Sequence, residues 1–142
     1  MKYMILLYGS QRDYDLLAGK PAEAGEVGWT AEDVAAMHAF MGRWNQELVE
    51  SGEFVDARGL AAPVHTRRVQ GLRDGVPVVT DGPYPETEEV LAGYTIVECD
   101  SFDRATEIAA RIAKCPHPEG DTSGLYVDVR PIDEGPGAAL DA

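Results

Sequence analysis

The 142-residue chain has only two cysteines, twelve lysines and arginines, and three histidines, and each shortage removes a class of function. Cys99 and Cys115 form no Cys-x-x-Cys pair and no zinc-ligand spacing, so neither a disulfide framework nor a metal-built fold is expected, and a reduced, cytoplasmic setting is the simplest one. The basic residues face 25 acidic ones, for a formal net charge of −13, and a surface of that sign repels nucleic acid and anionic membranes. His38, His65 and His117 stand at no ligand-binding interval, so no metal is expected, and His65 and His117 read as exposed surface. Long hydrophobic runs are missing as well. Residues 1–8 are apolar apart from Lys2 but stop at Gly9, too short for a membrane helix and without the basic start of a signal peptide. Gly9-Ser10 leads into a polar stretch that carries neither a Walker nor a dinucleotide-binding glycine pattern, so no nucleotide cofactor is expected.

What is present suits one domain over residues 1–132, followed by a loose acidic tail over 133–142; 44% hydrophobic content is enough for a core of its own. Residues 1–8 are strand formers on both alternating faces, as in a central strand covered on two sides. Residues 9–28 lose periodicity and read as a long loop with one short helical turn around 14–17. A helix then follows with unusually clear ends. Thr30 caps it, Asp33 is the reciprocal capping residue, Trp29 and Val34 form a hydrophobic staple, and Gly52 stops it. Between these ends Val34, Met37, Met41, Trp44 and Leu48 recur on one face.

Residues 54–60 read as a strand, and 65–72 and 76–80 as a hairpin around Arg73-Asp74-Gly75, with Arg67, Arg68 and Arg73 on exposed strand positions. A strand over 91–99 leads to a second helix, capped by Asp100 or Ser101, which turns Ala105, Ile108, Ala109 and Ile112 inward and ends at Pro116. A last strand spans 124–131, with Leu125, Val127 and Val129 on one face. The order β-α-β, hairpin, β-α-β gives an α+β fold on the ferredoxin-like, split βαβ plan with an inserted β-hairpin. Two helices cover one sheet face; the other, which takes Tyr3, Ile5 and Leu7 or their neighbours, has no cover within the chain, so a homodimer is expected.

Between the hairpin and the next strand stands Thr80-Asp81-Gly82-Pro83-Tyr84-Pro85-Glu86-Thr87-Glu88-Glu89, a stiff acidic turn. It resembles the signature of the DGPF subgroup of YCII-related proteins, Asp-Gly-Pro-Phe-x-Glu-Thr-Lys-Glu, with Tyr84 in place of Phe and Glu88 in place of Lys. The resemblance implies a dimeric α+β barrel in which two sheets face each other. It brings no single reaction, since most of that family has none assigned.

Six residues are candidates for a site. His38 adjoins Met37 on the helix stripe, where an imidazole either finds a loop carbonyl or serves as acid and base; the position is similar to that of a helix histidine paired with aspartate in other YCII proteins. Asp81 ends a strand before a rigid turn, which either holds its carboxylate over a cavity or uses it to hydrogen-bond the turn. Tyr84 offers an aromatic wall stiffened by Pro83, Glu86 a proton acceptor or a cap, and Trp44 an aromatic surface from the helix.

Together they make a cofactorless acid–base enzyme, with His38 and Asp81 catalytic and Pro83, Tyr84, Glu86 and Trp44 binding a small organic molecule. The wider resemblance implies lyase and isomerase chemistry. The alternative is a non-enzymatic small-molecule-binding or regulatory dimer, and the association of DGPF proteins with sigma factors implies a signalling link. A purely structural loop is a third reading. An enzyme needs His38 and Asp81 within reach beside an open cavity, a binder needs only the cavity, and a structural loop needs neither.

Overall fold

The computed structural model describes residues 1–120 and 125–135. Six strands and three α-helices follow one another as β1 (Lys2–Gly9), α1 (Gln11–Leu17), α2 (Ala31–Ser51), β2 (Phe54–Gly59), β3 (Arg67–Arg73), β4 (Val76–Asp81), β5 (Val90–Glu98), α3 (Phe102–Ala110) and β6 (Val127–Pro131). Short 3₁₀ turns at Pro63–His65 and Arg111–Lys114 complete the inventory among the described residues. Four strands form an antiparallel sheet in the order β2-β5-β1-β6, and β3-β4 is a separate hairpin. The sheet is open, with β2 and β6 as its edges, so a single chain closes no barrel.

Local chemistry sets the helix ends. Thr30 accepts from the Asp33 amide while the Asp33 carboxylate takes the Thr30 amide, and Gly52 ends α2. The same reciprocal box, Ser10 with Asp13, starts α1, a seven-residue helix where the loss of periodicity predicted mostly loop. Ser101, not Asp100, caps α3. The hairpin turns at Asp74 and Gly75, both at positive φ (51° and 78°), as the Asp-Gly pair dictates. The last strand is shorter than its pattern predicts. It begins at Val127, leaving Leu125 exposed ahead of it, while Gly124 lies outside the described residues.

Alternation along β1 decides where the core lies. Tyr3 and Ile5 face the helices with Thr95 and Val97 of β5, and Trp44, Leu48, Ala105, Ile108, Ala109 and Ile112 close over them. Ile5, Leu48 and Ile108 have no exposed surface. The Trp44 indole donates to the Ile108 carbonyl at 3.1 Å, which pins α2 to α3 through a buried hydrogen bond. Arg104 adds a two-pronged clamp on Glu53, both contacts at 2.8 Å, between the start of α3 and the turn into β2. The opposite sheet face, away from the core helices, carries the neighbours Met4, Leu6 and Tyr8 beside Tyr94 and Ile96, all half-buried, with the Tyr8 ring stacked on Tyr126. Of the two face assignments left open by the sequence, Tyr3 and Ile5 are thus the covered set.

Candidate functional site

The functional candidate is built where the ends of β1, β2 and β5 meet the signature loop. Ser10 turns the chain out of β1 into α1, and α1 acts as a strap. Its Tyr14 hydroxyl donates to the carbonyls of Leu60 (2.9 Å) and Ala92 (3.3 Å), and the Gln11 side chain accepts from the Val64 amide at 2.8 Å. Burial pushes the Tyr14 phenol up from its ordinary pKa. These bonds hold the segment after β2, where buried Pro63 opens the 3₁₀ turn that carries His65.

The signature loop is tied to the same frame at several points. The Gly82 amide donates to the Thr66 carbonyl at 3.1 Å, the Arg12 amide to the Glu86 carbonyl at 2.9 Å, and the Tyr126 hydroxyl to the Glu89 carboxylate. That last bond pushes the Tyr126 phenol up, because ionising it would place two negative charges together. Gly82 sits at φ 56°, a left-handed position that redirects the chain after Asp81 and suits glycine. The Arg68 guanidinium lies 5.5 Å from the Tyr84 ring centroid, holding the ring against the hairpin base.

Between these two segments is a cleft of about 370 Å³ lined by Leu60, Ala61, Ala62, Pro63, His65, Thr66, Tyr84, Val90 and Leu91. Its wall is mainly aliphatic, with three polar tips: an imidazole, a phenol and a threonine hydroxyl. Such a lining suits a small molecule with an apolar body and one or two hydrogen-bonding groups.

The six candidates do not converge. Tyr84 lines the cleft, and half-buried Pro83 stiffens the chain beside it. Glu86 is exposed and contributes its backbone carbonyl to Arg12. Trp44 lines a different hollow, of about 260 Å³, between α2 and the end of α3. Asp81 ends β4 as expected, but its side chain is 83% exposed and its charged partner is Arg67, directly opposite in the hairpin, at 4.0 Å.

His38 is exposed on α2, which corrects its expected place on the inward stripe. At about 100° per residue it lies roughly 120° around the helix from Trp44, outside the buried arc. Among the described residues no hydrogen bond joins His38 to Asp81, whose charged partner is Arg67, and neither lines the cleft or the hollow at Trp44. The imidazole that does line the cleft is His65, passed over in the sequence because it is surface exposed and lacks metal-ligand spacing. The signal available was Pro63 two residues earlier, which marks a tight turn able to present the next side chains at a rim.

Of the thiols, Cys99 is buried in the core and Cys115 half-buried, and burial pushes both up from the ordinary thiol range, so neither is poised as a nucleophile. Among the described residues no group of three His, Cys, Asp or Glu is placed to hold a metal, and no helix is long and apolar enough to cross a membrane.

The sequence model of the YCII-related domain matches residues 1–130. The chain is also similar to an uncharacterized protein of Rhizobium meliloti (strain 1021), 28% identical over 106 residues that cover 73% of this chain and 79% of that protein.

Proposed function

The chain belongs to the YCII-related domain family, and we propose that it acts as a homodimer that binds a small, largely apolar organic molecule in the cleft between His65 and Tyr84. One observation carries the binding reading: the signature loop and the Pro63–His65 turn enclose a cleft that His38 and Asp81 do not reach. A binder requires only the cavity, whereas the paired mechanism requires His38 and Asp81 beside it. Within the family we place the chain with the DGPF subgroup, on Asp81-Gly82-Pro83-Tyr84 and Glu86-Thr87.

The dimer is proposed on two uncovered surfaces. Met4, Leu6, Tyr94 and Ile96 form an apolar patch across the bare face of the sheet. The hairpin displays Val69 at 62% and Leu72 at 72% exposure, and a two-stranded hairpin alone in water is marginally stable. Two ferredoxin-like sheets meeting face to face, as a dimeric α+β barrel, would cover the first of these.

A cofactorless lyase or isomerase is the second reading, favoured by the position of His65. An imidazole beside a phenol in an apolar cleft has the groups for moving a proton, so His65, rather than His38, is the residue assigned that step. The signalling alternative has no surface feature that favours it.

The test is a titration of isotopically labelled protein with a small lactone and a small aryl ketone, followed by amide shifts. Saturable shifts at Leu60, Ala61, Thr66, Tyr84 and Leu91 are expected, and Tyr84→Ala should abolish them. Shifts confined to other residues, or none with either probe, would sink the binding reading. If a probe is turned over, His65→Gln should stop turnover while leaving binding in place; turnover that survives the change removes His65 from the chemistry.

A further inference from the structure

The hollow at Trp44 is independent of the signature loop and has a different chemistry. Phe40, Arg43, Trp44 and Glu47 stand at i, i+3, i+4 and i+7 of α2, one stripe of that helix. Opposite them, Arg111 and Lys114 stand at i and i+3 of a 3₁₀ turn, where side chains eclipse and so point the same way. The Trp44–Ile108 hydrogen bond holds the two elements in this register. The six side chains line about 260 Å³, with two aromatic rings, three cations and one carboxylate.

On a chain with a net charge of −13, three cations share this hollow, and unlike the three arginines of β3, which lie on an exposed strand, they line a concave surface. Glu47 approaches Arg111 at 3.7 Å and neutralises one of them. Arg43 and Lys114 have no ion-pair partner among the described residues, whereas Arg12, Arg58, Arg67 and Arg104 elsewhere are paired. Arg111 and Lys114 lie at the end of α3, where positive charge complements the helix dipole. Arg43 has no such duty: it projects from the middle of α2. Cations gathered at a concave, partly apolar surface focus a positive field there, and an anion relieves their repulsion.

We propose that this hollow is a second ligand site, specific for a small organic anion with one flat ring, of the aryl carboxylate or aryl phosphate class. The ring packs on half-buried Phe40, with buried Trp44 as the floor beneath it, while Arg43 and Lys114 grip the anionic group from opposite walls and Arg111 supports it. The volume is enough for one ring, being just below the usual range for drug-sized sites, about 300–1,000 Å³. The site is independent of the His65–Tyr84 cleft, so failure of either leaves the other standing.

Benzoate, phenyl phosphate, inorganic phosphate and the neutral isostere benzyl alcohol form the test set, read by amide shifts of the full chain. Benzoate and phenyl phosphate should shift the amides of Phe40 to Leu48 and Arg111 to Lys114 saturably, with affinity falling as salt rises. Inorganic phosphate should act more weakly and benzyl alcohol not at all. The Arg43→Gln/Lys114→Gln double variant changes only exposed side chains and should keep its melting temperature while losing roughly three- to tenfold in benzoate affinity. Benzyl alcohol equal to benzoate would reduce the hollow to an apolar dimple. Benzoate shifts only around Tyr84, no shifts at all, or undiminished affinity in the double variant would each overturn the proposal.

Discussion

Replacing Gly93 by alanine and Gly42 by alanine should move stability in opposite directions. Gly93 lies in β5 opposite Gly59 of β2, and an alanine Cβ there would stand 2.8 Å from the Arg58 carbonyl oxygen and 3.4 Å from the Gly59 Cα. The obstructing atom is backbone, so it must retreat from 2.8 Å to the 3.4 Å of ordinary contact, a shift of about 0.6 Å. β2 is an edge strand whose only strand partner is β5, and it yields by peeling at its end. The Leu60–Ala92 backbone bond (2.8 Å) and the Tyr14 strap follow directly after.

Overpacking of this kind costs about 1–3 kcal/mol, or roughly 3–10 °C in melting temperature for a domain of this size. Gly42, by contrast, sits mid-helix in α2 with open space where the Cβ would go. Alanine there should stabilise by about 0.5–1 kcal/mol through helix propensity. Chemical denaturation of the wild type and both variants measures the pair, and amide shifts should place the Gly93→Ala disturbance along β2 and the Pro63–His65 turn. A Gly93→Ala protein within about 0.5 kcal/mol of wild type would mean that β2 is not held this close to β5, and that the cleft is not built as described.

Other expectations follow from the same contacts. Tyr14→Phe removes one donor shared by two carbonyls. It should cost about 1 kcal/mol and speed amide exchange across Leu60 to Thr66 more than in the core; uniform exchange would refute the strap. Arg104 holds the Glu53 carboxyl at about 2, well below its ordinary 4.5. A carboxylate depressed in the folded state stabilises fully above its unfolded pKa and loses that contribution as pH falls through the folded one, here from 4.5 towards 2. Because the pair is solvent-screened, Glu53→Gln should lose only about 1 kcal/mol at neutral pH, and urea curves of variant and wild type should converge near the bottom of that window; a gap independent of pH would refute the link. Leu6→Arg, in the middle of the bare sheet face, should yield a monomer by sedimentation velocity with an unchanged helix signal, whereas a wild type already monomeric at micromolar concentration removes the dimer.

Local features of the chain were enough for the elements. Thr30 with Asp33 and Ser101 ahead of Arg104 set the starts of α2 and α3, Asp74-Gly75 set the hairpin turn, and alternation marked β1 and β5, because each of these interactions closes within a few residues. The Ser10–Asp13 box was equally local, and of α1 only a turn around 14–17 was legible because seven residues are too few for a hydrophobic period. The order of elements along the chain pointed to the α+β plan, whereas the strand order β2-β5-β1-β6 came from the tertiary structure.

The site did not follow, because it depends on contacts between distant segments. His38 and Trp44 share a helix, yet an arc of about 120° separates solvent from core. Tyr84 shares a cleft with His65 only because Gln11 and Tyr14 strap the loop from β2, while the Gly82–Thr66 and Arg12–Glu86 backbone bonds tie down the loop from β4. Arg43 meets Lys114, 71 positions later, only because α3 packs its end against α2. Residue types and short spacings are written in the sequence; the convergence of side chains far apart in the chain is set by packing, so tertiary structure alone decided which of them share a cavity.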